Sequence, residues 1–214
     1  MDFSAVLLAG GTGARLGGTD KASIEYDGRT LLEHCLDALV DAHEVVVVGP
    51  QVRTSRTVTF TREDPAGGGP AAGLLAGRDA LLRPPVELAV LAVDMPHVTA
   101  ATFRRLRAAS VGFGGAFLTD AAGRRQLAGV LDPVALDAHV STLLPNPEDR
   151  RHLPLHVLLG GLDLVAVSAE GREAADVDTW ADVRDLRASP TEPREPGEPT
   201  RQNRENRKNR KNRG

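Results

Sequence analysis

Short apolar runs alternate along the chain with longer amphipathic stretches. Apolar runs bounded by glycine, proline or charged residues are typical of β-strands. They predict strands over Ser4–Leu8, Glu44–Val48, Val58–Thr61, Leu88–Val93, Gly115–Thr119, Leu127–Leu131 and Leu162–Ser168. Leu88–Val93 is apolar at every position, which is typical of a strand in a parallel sheet that is covered on both faces.

Between these runs the apolar residues recur at helical spacing. The clearest case is Thr30–Val40, in which Leu32, Cys35 and Leu36 share one face of a helix. Further helices are predicted over Ala71–Leu82, Ala100–Ala108, Val134–Leu144, Arg151–Leu159 and Thr179–Leu186.

The alternation of strands and helices predicts an α/β domain with a mostly parallel sheet. Sheets of this kind bind their ligands at the carboxyl ends of the strands. We expect the domain to span residues 1–188. Residues 189–214 are rich first in Pro and Glu and then in Asn, Arg and Lys, without apolar periodicity, so this tail is expected to be disordered.

The charge of the chain is divided unevenly. Residues 189–214 hold eight of the 26 Lys and Arg residues and four of the 29 Asp and Glu residues, so residues 1–188 carry 18 basic and 25 acidic side chains. An acidic domain lacks the basic surface that contact with nucleic-acid phosphates requires. Nucleic acid is therefore not an expected partner.

Composition also indicates the compartment. The chain has no apolar run near the roughly 20 residues of a transmembrane helix, and no secretory signal is visible. Its one cysteine, Cys35, cannot form an intramolecular disulfide, which fits a reducing compartment. We expect a cytoplasmic protein without a membrane partner.

A glycine-rich segment, residues 10–21, follows the first predicted strand. Five of the nine residues 10–18 are glycine, more than a plain turn requires. Glycines allow backbone N–H groups to approach a phosphate chain closely, and a lysine adds a mobile positive charge. Lys21 ends this segment and is the sole lysine in residues 1–188. The segment therefore predicts a phosphate-binding loop.

Two common nucleotide-binding motifs do not fit this loop. The dinucleotide motif G-x-G-x-x-G matches at Gly11 and Gly13, but Leu16 stands where the third glycine belongs. The P-loop spacing matches from Gly13 to Gly18, but Thr19 occupies the lysine position. Each motif fails at a residue that its chemistry needs.

Four segments instead resemble, in order and spacing, the patterns L-A-G-G-x-x-x-R-[ML]-G-x-x-D-K, E-D…G-P-L-A-G-[LI], C-D-M-P and N-x-[ND]-T-P-E-D-L, the first of which is matched at every position. These segments are Leu8–Lys21, Glu63–Leu74, Leu91–Pro96 and Asp176–Val183. Together they resemble the molybdenum cofactor guanylyltransferases (MobA-like proteins) of the nucleotidyltransferase superfamily. The resemblance implies a Rossmann-like three-layer α/β/α nucleotidyltransferase fold with a mostly parallel sheet.

An enzyme of this kind brings a phosphate nucleophile in line with the α-phosphate of a nucleoside triphosphate and expels pyrophosphate. Positioning and charge neutralisation dominate such a reaction. Contacts to the base and phosphates are expected from Leu8, Ala9, Gly10, Gly11, Thr12 and Gly13. Arg15 and Lys21 are candidate catalytic cations that neutralise developing charge, although Arg15 is equally compatible with an ordinary surface position.

A Mg²⁺ ion is the expected cofactor, and carboxylates are its preferred protein ligands. Asp94 follows an apolar strand and precedes Pro96, which places it at the carboxyl edge of the sheet as a catalytic, nucleotide-binding and metal-binding candidate. Its alternative role is to cap the next turn. Asp178 resembles a second metal ligand of related cytidylyltransferases, but it could instead cap the helix that begins at Thr179.

The sequence gives weaker signals for the residues that would bind the nucleotide base and the acceptor. By resemblance Asp64 contacts the nucleotide, although an aspartate before a proline is also common in turns. The family can carry an asparagine where this chain has Val48–Pro50, and Trp180 replaces a proline. Basic groups at Arg124–Gln126 and Arg150–His152 are candidates for gripping an anionic acceptor, or they form a solvated surface.

The resemblance implies transfer of GMP from GTP to the phosphate of the molybdenum-pterin cofactor. Cofactor-insertion proteins or molybdoenzymes would be its protein partners. Two alternatives keep the fold: a cytidylyltransferase for the same pterin, or a guanylyltransferase for another phosphorylated small molecule. Two others change the class: an NAD-dependent oxidoreductase, or a catalytically silent adaptor for cofactor insertion.

Overall fold

A computed structural model describes residues 3–10, 19–63, 67–144, 149 and 153–188. Some predicted site residues lie outside these ranges, as does the tail predicted to begin at residue 189. Those site residues are Gly11, Thr12, Gly13, Arg15 and Asp64. The statements below concern the described residues.

The strands in chain order are β1 (Ser4–Leu8), β2 (Glu25–Tyr26), β3 (Arg29–Thr30), β4 (Glu44–Val48), β5 (Thr59–Thr61), β6 (Leu88–Ala92), β7 (Gly115–Thr119), β8 (Arg125–Leu131) and β9 (Leu164–Ser168). β2 and β3 pair as a small hairpin, and the other seven form one sheet in the order β5-β4-β1-β6-β8-β7-β9. Neighbours in the sheet are parallel except at β8, which is antiparallel to both β6 and β7. The predicted mostly parallel sheet is confirmed.

The helices are α1 (Leu31–Ala38), α2 (Gly69–Asp79), α3 (Ala100–Ala109), α4 (Pro133–Leu143), α5 (Leu155–Gly160) and α6 (Trp180–Ala188). Apolar residues of α1, α3 and α6 form one core cluster with alternate residues of the central strands. Those of α2, α4 and α5 form a second cluster with the other residues of these strands. The sheet is thus covered on both faces, and the three-layer α/β/α fold is confirmed.

Differences from the predicted elements have local causes. The helix predicted from Arg151 begins at Leu155, because the residue before a proline, here Leu153 before Pro154, is disfavoured in a helix. The β2–β3 hairpin was missed, although its turn residues carry a signal. Asp27 and Gly28 both have positive φ, 49° and 73°, and Asp-Gly is a preferred pair for such a two-residue turn.

The contact between α2 and the sheet depends on a glycine. A Cβ on Gly77 would lie 2.4 Å from Cγ1 of Val6 and 2.9 Å from Cγ2 of Val48. We expect Gly77→Ala to lower the free energy of unfolding by about 1–3 kcal/mol, because the helix must move away from the sheet. Urea unfolding measures this loss.

Gly160 in α5 provides the matched control. A Cβ there meets no atom within 4 Å, so Gly160→Ala should leave stability unchanged or raise it by at most about 1 kcal/mol. Equal losses in the two variants would contradict the packing argument. Among the described residues, no helix has the length and apolarity needed to cross a membrane.

Candidate functional site

Three parallel strands end together at one edge of the sheet. The ladder continues beyond them, because Val93 N–H donates to the carbonyl of Leu8 at 3.0 Å and Ala9 N–H donates to the carbonyl of Val48 at 2.9 Å. Leu8 to Gly10, the first residues of the predicted nucleotide-binding segment Leu8–Lys21, therefore lie beside the end of β6. Asp94 follows β6 at the same edge.

Gly49 makes the end of β1 closely packed. A Cβ on Gly49 would lie 3.0 Å from the carbonyl carbon of Ala9 and 3.1 Å from its Cβ. Gly49 N–H also donates to the carbonyl of Thr61 at 2.9 Å. Gly49 has no side chain, so the backbone that follows β4 can lie close to Ala9 at the end of β1. This is also where the sequence departs from the family pattern that it resembles.

Lys21 reaches both candidate carboxylates. Its Nζ donates to Oδ2 of Asp94 at 3.1 Å and to Oδ1 of Asp178 at 2.6 Å. The backbone at Lys21 is held by a short 3₁₀ turn, Lys21–Ser23, whose Ala22 N–H donates to Oδ1 of Asp20 at 3.1 Å. Three residues that the sequence proposed separately thus form one cluster, which we call the Lys21–Asp94–Asp178 cluster.

The backbone joins Asp94 to the segment that carries Asp178. Val177 N–H donates to the carbonyl of Asp94 at 2.8 Å, and the Val177 side chain is buried in the core. This hydrogen bond holds the two segments that carry the carboxylates next to each other without the help of Lys21. No feature of the sequence pattern revealed it, because it links positions far apart in the chain.

The start of α6 is capped by Thr179 and Asp182. A carboxylate oxygen of Asp182 accepts from Asp178 N–H at 3.0 Å, Thr179 N–H at 2.6 Å and the Thr179 hydroxyl at 2.8 Å. Asp182 N–H in turn contacts Oγ1 of Thr179 at 3.3 Å, which completes a capping box. The helix start is thus stabilised without the Asp178 carboxylate, whose Oδ1 accepts from Lys21.

A buried glutamate anchors the segment that precedes Asp178. Glu173 accepts from the Thr102 hydroxyl and Arg105 of α3, and from Glu170 N–H. Burial raises the pKa of this carboxyl, but these donors outweigh burial and the net pKa lies below its ordinary value. The ionised Glu173 therefore ties the segment to the helical layer.

Burial and charge oppose each other within the Lys21–Asp94–Asp178 cluster. Burial raises the pKa of Asp94, and the nearby Lys21 only partly offsets this, so the net pKa lies above its ordinary value. For Lys21, burial lowers the pKa, but the hydrogen bond to Asp178 and the charge of Asp94 outweigh it and the net pKa is raised. Lys21 is therefore a permanent cation at neutral pH.

The cluster remains open to a ligand. The side chains of Lys21, Asp94 and Asp178 are 20%, 27% and 39% exposed. With one positive and two negative charges, the cluster carries a net charge of −1, and Asp176 lies close enough to raise the pKa of Asp94 further. This accessible negative potential favours a cation over an isolated anion.

The two carboxylates suit a magnesium ion. Their oxygens converge on one cation, the Lys21 Nζ, and Mg²⁺ is usually bound through one or two carboxylates with waters and phosphate oxygens. Within the described ranges, no group of three or more His, Cys, Asp and Glu side chains could hold a metal ion. The two carboxylates alone fit the small protein ligand set of a Mg²⁺ ion.

The basic candidates for the acceptor are not gathered at this cluster. Arg124 pairs with Asp120 through Nε at 2.7 Å on an exposed turn. The Arg125 guanidinium lies 5.7 Å from the centroid of the Phe117 ring. The third candidate group, Arg150–His152, lies outside the described residues.

The sequence of this chain is similar to those of a known protein family. The family model described as "MobA-like NTP transferase domain" matches residues 5–172. The molybdenum cofactor guanylyltransferase of Acidiphilium cryptum is 33% identical over 185 residues, which cover 84% of this chain and 91% of that protein.

Solved structures share the fold at lower identity. Molybdopterin-guanine dinucleotide biosynthesis protein A from Archaeoglobus fulgidus superposes with a TM-score of 0.65 at 19% identity, covering 86% of this chain and 96% of that one. The 2-C-methyl-D-erythritol 4-phosphate cytidylyltransferase of Thermus thermophilus gives a TM-score of 0.66 at 21% identity, covering 88% and 98%. Both similarities concern the architecture.

Proposed function

Because the chain belongs to the MobA-like NTP transferase family, we propose that it transfers GMP from GTP to the terminal phosphate of the molybdenum-pterin cofactor. The Lys21–Asp94–Asp178 cluster at the carboxyl edge of the sheet is the observation that carries the proposal. The name of the relative from Acidiphilium cryptum, a guanylyltransferase, supports GTP as the donor. The chain is a nucleotidyltransferase involved in molybdenum cofactor biosynthesis.

The reaction exchanges one phosphoanhydride bond for another. An oxygen of the acceptor phosphate bonds to the α-phosphorus of GTP, and the bond from that phosphorus to the oxygen bridging to the β-phosphate breaks. Pyrophosphate leaves with the electron pair of this bond. No oxidant or reductant is needed, so the protein has to align the two phosphates and neutralise their charge.

Lys21 supplies the positive charge for this alignment. Its flexible stem allows Nζ to contact phosphate oxygens from the position where Asp94 and Asp178 now hold it. A lysine is a compact point charge for a phosphate, whereas arginine presents a fork. The glycine-rich segment is proposed to add backbone N–H donors to the phosphates, with Arg15 as a further cation.

Asp94 and Asp178 would hold the Mg²⁺ ion. When bound, Mg²⁺ neutralises phosphate charge and orients the phosphate oxygens. A divalent ion would change the net charge of the cluster from −1 to +1, so that a polyphosphate is attracted instead of repelled. Asp64 is proposed to contact the nucleotide, as in the family pattern, and the cytoplasm is the proposed compartment.

Nucleotide-dependent thermal stability tests the proposal. A ligand at about 100 times its Kd stabilises the folded state by roughly 2.7 kcal/mol, or about 5–10 °C for a domain of this size. We expect GTP with Mg²⁺ to raise the Tm by this order, and CTP, ATP, UTP or NAD at equal concentration to raise it less. Differential scanning fluorimetry measures the shifts.

The matched control omits the metal. Without Mg²⁺ the stabilisation by GTP should fall sharply, because the carboxylates then face the phosphates without a bridging cation. A larger shift with CTP than with GTP would change the donor and keep the mechanism. A shift with NAD alone, independent of Mg²⁺, would contradict the proposed function and restore the oxidoreductase alternative.

A further inference from the structure

The two aspartates of the candidate site lie on two segments that contact each other. The segment after Asp94 leads to the start of α3, and the segment after β9 leads to Asp178. Val177 N–H, on the second segment, donates to the carbonyl of Asp94 at 2.8 Å. Val98 of the first segment and Val177 of the second are buried in the same core cluster. The backbone and the core thus hold the two segments together close to the carboxylates.

Thr102 joins the same two segments at a second point. Its hydroxyl oxygen accepts from Thr99 N–H at 3.0 Å, where the segment after Asp94 enters α3. The same hydroxyl donates its proton to Oε1 of Glu173, five residues before Asp178. A hydroxyl can accept and donate at once, so this one side chain binds both segments.

The hydrogen bond between Thr102 and Glu173 is shielded from water. Thr102 is fully buried, and Glu173 is only 7% exposed. Arg105, one turn further along α3, donates from Nη1 and Nη2 to the two carboxylate oxygens of Glu173, at 3.0 Å and 2.9 Å. A buried carboxylate is costly when it loses its donors, so these contacts hold Glu173 in one position. We call the three residues the Thr102–Glu173–Arg105 anchor.

No sequence motif indicates this anchor. Thr99 and Thr102 have the spacing of a helix cap, but 71 positions separate Thr102 from Glu173. Thr102 and Glu173 also lie outside the four segments that resemble the family patterns. The anchor is therefore an addition to the site residues that the resemblance implies.

The positions of the two carboxylates matter for a metal ion. Mg²⁺ requires near-ideal octahedral geometry with ligand distances of about 2.0–2.1 Å, so a small displacement of one ligand weakens binding. Groups that orient metal ligands typically contribute about 10- to 100-fold to metal affinity or activity. The anchor is placed to have such an effect, because each of the two segments that it joins carries one carboxylate.

We propose that Thr102 and Glu173 are positioning residues, which hold Asp94 and Asp178 at the spacing that a divalent cation requires. They act through the backbone. Thr102 fixes the start of α3 and with it the segment after Asp94, and Glu173 fixes the segment that leads to Asp178. This inference rests on the proposed function, because it concerns the metal site of the same reaction. It assigns neither residue a contact with the nucleotide or the acceptor.

Binding of Mn²⁺ to the full chain tests the assignment without any transfer reaction. The EPR signal of the free ion reports the Kd, and Asp94→Asn should abolish the site. We expect Thr102→Val, which keeps the shape of the side chain without the hydroxyl, to raise the Kd about tenfold or more. Thr102→Ser keeps the hydroxyl and should retain the wild-type Kd.

Two neighbouring arginines of α3 provide a matched pair of variants. Arg105 binds Glu173, whereas Arg104 pairs with Asp41 at 2.7 Å on an exposed surface. Arg105→Met should raise the Kd for Mn²⁺, and Arg104→Met should leave it unchanged. Because Arg105 is partly exposed, this pair decides the question even if Thr102→Val does not fold.

Gly77→Ala separates positioning from a general loss of stability. Gly77 packs against Val6 and Val48, which belong to the other core cluster, so this variant should have a lower Tm and the wild-type Kd for Mn²⁺. In the transfer assay, Thr102→Val should raise the Mg²⁺ concentration that gives the half-maximal rate about tenfold. Higher Mg²⁺ should then restore most of the rate, which it would not do for an unfolded fraction.

A wild-type Kd in both Thr102→Val and Arg105→Met would overturn the assignment, as would equal changes in Arg104→Met and Arg105→Met. A Kd raised as much in Gly77→Ala, a Mn²⁺ site that persists in Asp94→Asn, or a wild-type chain that binds no Mn²⁺ would overturn it as well. Failure of the proposed function is visible separately, as a wild-type chain that binds Mn²⁺ but releases no pyrophosphate from GTP in the presence of the pterin acceptor.

Discussion

Lys21→Ala is expected to lower kcat/KM for nucleotide transfer by about 100- to 1,000-fold, the usual cost of removing a group that stabilises transition-state charge. Lys21 is the sole lysine in residues 1–188. It also touches both carboxylates of the candidate site, at 3.1 Å and 2.6 Å. The release of pyrophosphate from GTP in the presence of the pterin acceptor measures the loss.

Two further variants separate charge from packing. Lys21→Met keeps much of the side-chain length without the charge and should be as inactive as Lys21→Ala. Lys21→Arg keeps the charge but replaces a compact ammonium with a fork, so it should recover only part of the rate. A Lys21→Met variant with more than a tenth of the wild-type kcat/KM would contradict the proposed role.

The same variants report on the metal. Without Lys21, Asp94 and Asp178 lose the cation that they share, and the folded state should lose stability in metal-free buffer. A divalent cation replaces the missing charge, so Mg²⁺ should raise the Tm of Lys21→Met more than that of the wild type. An equal response of both proteins would indicate that Mg²⁺ does not bind at these carboxylates.

The fold was largely predictable because its signals are local. Leu88–Ala92 is buried at every position, and its uninterrupted apolar run predicts a strand covered on both faces. The direction of β8 was not predictable in this way. The short turn at Asp120–Arg124 permits the antiparallel pairing with β7, but the pairing of β8 with β6 depends on tertiary packing rather than on any local pattern.

The sequence predicts which residues form the candidate site, but it does not predict the contacts between them. Lys21 is separated by 73 positions from Asp94 and by 157 from Asp178, and motif spacing carries no information about side-chain direction. The sequence therefore indicates that Lys21 contacts phosphates and that the two aspartates bind a metal ion. It does not indicate that Lys21 forms hydrogen bonds with both aspartates.

Asp94→Asn is expected to make the protein more stable and much less active. We expect a loss of about 100- to 1,000-fold in kcat/KM, because a neutral amide is a poor ligand for Mg²⁺. The unfolding temperature in metal-free buffer at pH 7.5 should rise. Burial raises the pKa of Asp94, and Lys21 only partly offsets this, so the ionised carboxylate is less favourable in the folded chain than in the unfolded one.

The stability difference between Asp94→Asn and the wild type should depend on pH. A carboxyl whose folded pKa is raised destabilises the folded state above that pKa, and the penalty disappears as the pH falls through it toward the unfolded value near 3.9. The Tm advantage of Asp94→Asn should therefore be largest at neutral pH and shrink on acidification. Thermal unfolding of both proteins from pH 7.5 to about pH 4, with a chelator present, measures the difference.

Asp120 supplies a control of opposite sign. Its carboxyl accepts hydrogen bonds from the backbone N–H groups of Arg124 and Ala122, and its pKa lies below the ordinary value, chiefly because of the backbone bond from Arg124. Its stabilising contribution is present above the unfolded pKa and is lost as the pH falls, so Asp120→Asn should lower the Tm at pH 7.5. If Asp94→Asn lowered the Tm in the same way, the Asp94 carboxylate would be a structural ion-pair partner of Lys21 rather than a group held ionised, at a cost in stability, for its chemistry.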